Sequence, residues 1–189
     1  VIIASSSGVC IRFNESDARP MGRNTRGVRG IRLVEVHSVI GMIVVNDEAR
    51  DILTISANGY GKRTALEEYR LQSRGGKGII AQKTTSKTGP IVSIKGVLEA
   101  NDLMITTVGG IMIRMDIGSI SKLGRNTQGV RVIKIREGDS IADVTKVQIV
   151  EDLEENADGE EPAVDSVDSQ PDAPDAPDAP DAPDAPDAP

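Results

Sequence analysis

The sequence predicts an all-β fold, three propeller-like units followed by an acidic tail, and three observations carry that prediction. The chain repeats itself at a step of 51 residues: Gly8, Gly59 and Gly110 fall in one register, as do Arg12, Arg63 and Arg114, then Arg23, Arg74 and Arg125, then Gly27, Gly78 and Gly129. Inside each repeat, short runs of β-branched and apolar residues alternate with Gly-containing turns. No segment holds a period of 3.6, apart from one possible turn at 65–69.

The elements follow in order. Residues 1–5, 52–56 and 103–107 are strand-like runs, each followed by a Gly turn and a second run (9–13, 111–115) ending near the recurrent Arg. A polar loop comes next, then a Gly-rich turn, then apolar stretches such as 28–36 and 39–45. The units are about 1–51, 52–102 and 103–150, with about four strands each and hardly any helix. A unit of that size matches a propeller blade, and closed rings usually need about four to eight blades. Three cannot close, so the chain is either part of a larger ring or a short open array. The abrupt apolar start at Val1, without an initiator Met, favours the first and reads as a piece of something longer.

Charge separates the two regions. The net charge of -7 averages a body of 22 basic and 14 acidic residues with a tail, 151–189, that holds 15 of the 29 acidic side chains and no Lys or Arg. The body is a polycation, which points to a polyanionic partner such as nucleic acid. The tail contains Asp-Ala-Pro six times over, at 172–189. Such a composition builds no core and favours an extended, disordered chain. It either competes with nucleic acid for the basic surface or serves as a solubilising tail.

Several functions are excluded or disfavoured. Aromatic content of 2% disfavours stacking-based nucleic-acid modules. A single cysteine, Cys10, rules out a disulfide framework and reads as a buried residue in a reducing cytosol. No uncharged run approaches the roughly 20 residues of a membrane span, and no secretory start is present. Gly76-Lys77 is followed by Gly78, which is not a Walker loop. His37, read as structural in an apolar strand, and Cys10 stand alone, so they form neither a metal site nor a Cys/His dyad. Glu67 and Glu68 read as a solvated pair in a loop. No catalytic residue and no metal ligand is expected.

The basic turns are the informative motif. Gln72, Ser73, Arg74, Gly75, Gly76, Lys77 and Gly78 form a compact cationic loop, with counterparts at 22–27 and 124–129; G-R-N-T-x-G-V-R recurs at 22–29 and 124–131. Cations beside exposed backbone N–H groups suit phosphate oxygens and read no bases. Arg23, Arg26, Arg29, Arg74, Lys77, Arg125 and Arg131 are therefore the expected DNA-binding residues, tracing a stripe along the rim. Arg12, Arg63 and Arg114 end strands and serve either as further phosphate contacts or as blade-to-blade salt bridges.

The heptad at 72–78 resembles the box of the DNA gyrase A family, Q-[RK]-R-G-G-[RK]-G, and 124–130 is similar to the closing blades of that family's C-terminal domain. The resemblance covers roughly 1–156. Ser73 departs from the basic second position, and the family places its full box in the first blade, so 72–78 reads as a degenerate copy in a late blade. The resemblance implies a six-bladed β-pinwheel with strands exchanged between blades, about half of it present here. It further implies double-stranded DNA wrapped around the rim and negative supercoiling by a bacterial, cytoplasmic, nucleoid-associated holoenzyme of two A and two B subunits. The catalytic tyrosine would lie upstream, and ATP and Mg would belong to the holoenzyme, with no cofactor in this chain. Two other readings remain: the related C-terminal domain of topoisomerase IV, with fewer blades, and a propeller-like protein-binding scaffold, which would want recurrent Trp or Tyr.

Overall fold

The computed structural model describes residues 1–34, 36–45 and 51–147. The expectations for the tail, 151–189, lie outside the described residues. Among the described residues eleven strands occur: β1 (Ile2–Ser5), β2 (Val9–Arg12), β3 (Val39–Ile43), β4 (Asp51–Ser56), β5 (Tyr60–Ala65), β6 (Ile79–Ile80), β7 (Ile91–Val97), β8 (Asp102–Thr107), β9 (Met112–Asp116), β10 (Val130–Arg131) and β11 (Ile141–Val147). They form three antiparallel sheets, ordered β3-β1-β2-β6, β10-β5-β4-β7 and β11-β8-β9. There is no α-helix among the described residues. One-turn 3-10 helices at Glu15–Asp17, Leu66–Glu68 and Ile117–Ser119 recur at the 51-residue step, and the possible turn at 65–69 is the second of them.

Each repeat supplies three strands to its own sheet, and the second and third each lend one to the sheet before. β6, from the second repeat, is the fourth strand of the first sheet, with Val9 opposite Ile80 and Cys10 opposite Ile79. β10, from the third repeat, completes the second, with Tyr60 opposite Arg131 and Gly61 opposite Val130. The expected four strands per unit therefore hold for two of the sheets, but the fourth strand is borrowed. The third sheet has three strands among the described residues. The apolar stretch at 28–36 contains no strand in its described part, because Val28 and Arg29 occupy the exchange-strand register without a sheet to enter.

Burial explains the hydrophobic pattern. Every residue of β4 is buried, since the strand lies centrally in a sheet packed on both faces. Ile52 sits with Ile2, Cys10, Ile43 and Ile94 in the core between the first and second sheets. Leu53 and Ile55 sit with Leu103, Ile105, Ile117 and Val144 between the second and third. The period of 2 that places alternate residues on opposite faces thus feeds two cores at once. This stacking sets the turns that follow β5 and β9 side by side with those of the preceding repeat.

Candidate nucleic-acid interface

The Gly-rich turns bring each exchange strand flush against its host. Gly78 has φ +77°, and a Cβ there would overlap the carbonyl of Cys10; Gly129 has φ +81°, and its Cβ would lie 2.6 Å from the carbonyl of Gly61. Only glycine accepts both the left-handed backbone and the close approach. The step of 51 residues between these glycines is therefore a packing requirement.

The same step links one turn to the next. The Arg74 Nη1 donates to the Arg29 carbonyl at 2.6 Å and the Arg125 Nη1 to the Ile80 carbonyl at 2.6 Å, the same relation one repeat on. The backbone repeats it: the Arg32 N–H donates to Gly76 O at 2.8 Å, the Lys83 N–H to Thr127 O at 2.9 Å, and the Gly75 N–H to Gly30 O at 2.7 Å. Each cationic turn thus rests on the segment that follows the turn before it. Arg74 and Arg125 are half-buried, and their bonds go to backbone carbonyls, which leave the positive charge uncancelled. Arg74 also donates through Nε to Asp17 O at 2.9 Å. Arg23, Arg26, Arg29, Lys77 and Arg131 are exposed, as is Ser73. Gln72 is half-buried and donates its backbone N–H to Arg12 O at 2.8 Å.

Arg12 and Arg63 sit at the junctions between repeats, the blade-to-blade setting that is one of the two expectations for them. The Arg12 Nη1 donates to Leu66 O at 3.2 Å and Tyr69 O at 2.9 Å, stapling the 3-10 turn of the next repeat. Arg63 is 5% exposed. Its Nε donates to Ile120 O at 2.7 Å, and its Nη2 to Gly118 O at 3.1 Å and to Glu99 at 3.2 Å, with Asp51 at 3.6 Å. A guanidinium so committed cannot present its charge at the surface, so Arg63 is a junction residue. Arg114 remains exposed and pairs with Asp102 of its own sheet at 2.6 Å.

Two features escaped sequence reasoning. Lys62 is fully buried, and its ammonium donates to Gly124 O at 2.6 Å, Arg125 O at 2.5 Å and Thr127 Oγ1 at 3.1 Å, so it holds the third cationic turn from beneath. Burial lowers its pKa to about 8, against a weaker opposing pull from Glu68. The available signal was a break in the repeat, since Ile11 and Ile113 occupy the equivalent positions. The second feature is Tyr60, whose hydroxyl accepts from the Arg131 Nη2 at 2.9 Å. Arg131 and Lys87 also lie 5.5 and 5.3 Å from its ring centroid. The Arg131 hydrogen bond holds the phenol below its ordinary pKa.

Smaller expectations shift as well. Glu68 does more than sit solvated, since its Oε2 accepts the Arg125 N–H at 2.8 Å. His37 lies in an irregular segment ahead of β3, with its Nδ1 3.3 Å from the Ser6 hydroxyl. Cys10 is buried, and desolvation pushes its thiol up to about 12. No group of three or more His, Cys, Asp or Glu side chains gathers as a metal site among the described residues. No described helix is long and apolar enough to cross a membrane.

Comparison with known proteins gives a consistent result. The family model described as "DNA gyrase C-terminal domain, beta-propeller" matches residues 1–46, 50–97 and 101–148, one match per repeat. The DNA gyrase A protein of Staphylococcus epidermidis is 45% identical over 153 residues, 80% of this chain and 17% of that protein. The DNA gyrase A protein of Staphylococcus aureus (strain MRSA252) is 42% identical over 165 residues, 87% of this chain and 18% of that protein. The chain thus spans under a fifth of the length of these relatives. Among solved structures, a DNA gyrase A C-terminal domain superposes with a TM-score of 0.71 at 28% identity, covering 78% of this chain and 50% of that one. A C-terminal domain of DNA topoisomerase IV superposes at 0.73 with 19% identity, covering 78% of this chain and 46% of that one, a likeness of fold.

Proposed function

Because this chain belongs to the DNA gyrase C-terminal domain family, we propose that it is part of a DNA-wrapping domain, binding duplex phosphates along its linked cationic turns. The observation that carries the reading is the repeated bond from Arg74 to Arg29 O and from Arg125 to Ile80 O, which keeps successive turns adjacent. A stripe of adjacent turns can follow a curved phosphate backbone, whereas scattered cations cannot. Smoothly bending 20–30 bp by 40–90° costs on the order of 1–6 kcal/mol, so several turns must share the load. Exposed Arg23, Arg26, Arg29, Lys77 and Arg131 meet phosphates; Arg74 and Arg125 bridge turns and add charge; Arg114 stands ready at the last sheet. Bases are not read, in keeping with the lack of aromatic platforms.

In this reading the chain serves a holoenzyme of two A and two B subunits that introduces negative supercoils, with ATP and Mg handled outside this chain. Identity of 42–45% to gyrase A relatives favours that enzyme over topoisomerase IV. The test is the salt dependence of binding by the 189-residue chain. Lys77→Ala and Arg26→Ala should each reduce the slope of log K against log salt by about 0.9, equally on unrelated duplexes. A loss confined to one sequence, or an unchanged slope for both variants, overturns the phosphate reading. Ligating a nicked circle with the protein bound then reports the sign of the trapped writhe.

A further inference from the structure

The second junction carries cations that the repeat does not require. A pocket of about 370 Å³ opens where the β4–β5 hairpin, the loop before β7 and the segment after β10 meet. Its lining includes Asn58, Tyr60, Lys87, Arg131, Lys134 and Arg136. The four cations are exposed, and none of them pairs with a carboxylate among the described residues. Asp139, also in the lining, is already committed, since its Oδ1 accepts from the Gly109 N–H at 2.8 Å and the Ser140 N–H at 2.7 Å. Tyr60 is 8% exposed; its hydroxyl accepts from Arg131, and its own proton meets no acceptor among the described residues. The ring holds Lys87 and Arg131 at 5.3 and 5.5 Å from its centroid.

The first junction is an internal comparison. One step of 51 residues back, Asn58, Tyr60, Lys87, Arg131 and Arg136 become Ser7, Val9, Val36, Ile80 and Thr85, and only Lys134 keeps its charge, as Lys83. Both junctions nevertheless form the same strand pairing and the same N–H bonds to Gly8 O and Gly59 O. Packing one sheet on the next therefore requires no cation at 87, 131 or 136. The turn arginines at 23, 74 and 125 recur at every step, whereas this cluster occurs once.

We propose that the pocket binds a compact oligophosphate, a chain of two or three phosphoryl groups. Lysine, arginine and the free phenol proton can only donate, which suits a ligand that is all acceptor and multiply charged. A duplex strand spreads its charge along a rod, about one per 3.4 Å of helix axis, and cannot concentrate it in a hollow. An oligophosphate gathers that charge in one place, and the cavity lies within the range of ligand sites, roughly 300–1,000 Å³. Tyr60 positions Lys87 and Arg131 beforehand, so less side-chain freedom is lost on binding. The site stands apart from duplex binding by the turns.

Isothermal titration of the 189-residue chain with inorganic tripolyphosphate tests this. One saturable site per chain is expected. The double variant Lys87→Ala/Arg136→Ala should weaken it about tenfold or more with an unchanged far-UV spectrum, because both side chains are exposed. Tyr60→Phe keeps the ring, removes the phenol proton and should weaken binding several-fold. Lys77→Ala, in the turn of the first junction, should leave tripolyphosphate affinity as in wild type. A nucleoside triphosphate that binds equally assigns the site to free phosphate chains, and one that binds more tightly assigns it to nucleotides. No saturable binding, equal binding by the folded double variant, or an equal loss in Lys77→Ala overturns the proposal. A double variant that loses duplex affinity, in a chain that ignores tripolyphosphate, overturns it in favour of a further duplex contact.

Discussion

Position 63 offers the sharpest test of how the sheets are held together, because the same repeat position exists in three settings. In Arg63→Met, the second sheet loses hydrogen bonds to Ile120 O, Gly118 O and Glu99, and Asp51 loses one of its two cations, Lys122 remaining at 2.7 Å. Removing one partner of a buried charged network costs about 3–5 kcal/mol, since the groups left behind keep their desolvation penalty. Arg114 is itself exposed and has a single partner, the half-buried Asp102, and pairs with a solvated cation contribute about 0.2–1 kcal/mol. Arg12, half-buried and bonded to two carbonyls, should fall between them. The assay is urea unfolding of the Met variants at positions 12, 63 and 114, with ΔG from midpoint and slope. Should Arg63→Met be too unstable to purify, Arg63→Lys keeps one charge and is expected to lose roughly half as much. Equal losses at positions 63 and 114, or a loss below about 1 kcal/mol at 63, would refute the stapling argument.

Three further outcomes are expected. Gly27 and Gly78 share nearly the same φ, +76° and +77°, but only at Gly78 would a Cβ overlap a neighbouring carbonyl. Gly27→Ala should therefore cost about 1 kcal/mol and Gly78→Ala about 3 or more in urea unfolding; equal costs would mean that strand exchange does not require the close approach. Stability should vary with pH in a way set by Lys62 and Cys10. The Lys62 pKa falls from 10.5 to about 8 on folding, so above pH 8 the unfolded chain binds more protons and stability rises. The Cys10 pKa rises from 9.0 to about 12, so above pH 9 the folded chain holds the extra proton and stability declines. In wild type the signatures are a rise above pH 8, a broad maximum at about pH 9–10 where the Lys62 and Cys10 slopes cancel, and a decline above it to which the buried Tyr69 phenol adds. In Lys62→Met the decline comes without the preceding rise. Both are read from urea midpoints, and a rise retained in the variant would exclude Lys62. Finally, Cys10 should resist alkylation in the native protein and react promptly in urea, and rapid native labelling would contradict its burial.

Much of this molecule could be read along the chain, and the reasons are local. The repeat at 8, 59 and 110 is visible because hairpin turns need glycine. The strands 1–5, 52–56 and 103–107 are visible because central strands select short runs of β-branched and apolar residues, buried throughout in β4 and at alternate residues in β8. The basic turns could be read for a similar reason, since charge on a Gly-rich loop has no use inside a core. The borrowed fourth strands were not legible from pattern. A two-residue strand such as Ile79–Ile80 has no periodicity, and its host sheet is built from residues 2–43.

The division between Arg23, Arg74 and Arg125 on one side and Arg12 and Arg63 on the other shows where reading along the chain stops. Both sets are arginines at a step of 51, and nothing in composition separates them. Stacking of neighbouring sheets sends Arg63 into a junction and leaves Arg23 and Lys77 in solvent, because the first lies on a strand facing the next repeat and the others lie beyond its edge. Lys62 makes the same point: a lysine between Gly61 and Arg63 reads as surface, until packing buries it under the Gly124 and Arg125 carbonyls and the Thr127 hydroxyl. Local chemistry settles which segments turn and which extend. Which charges reach water depends on what the next repeat covers, and that is a property of the assembled sheets.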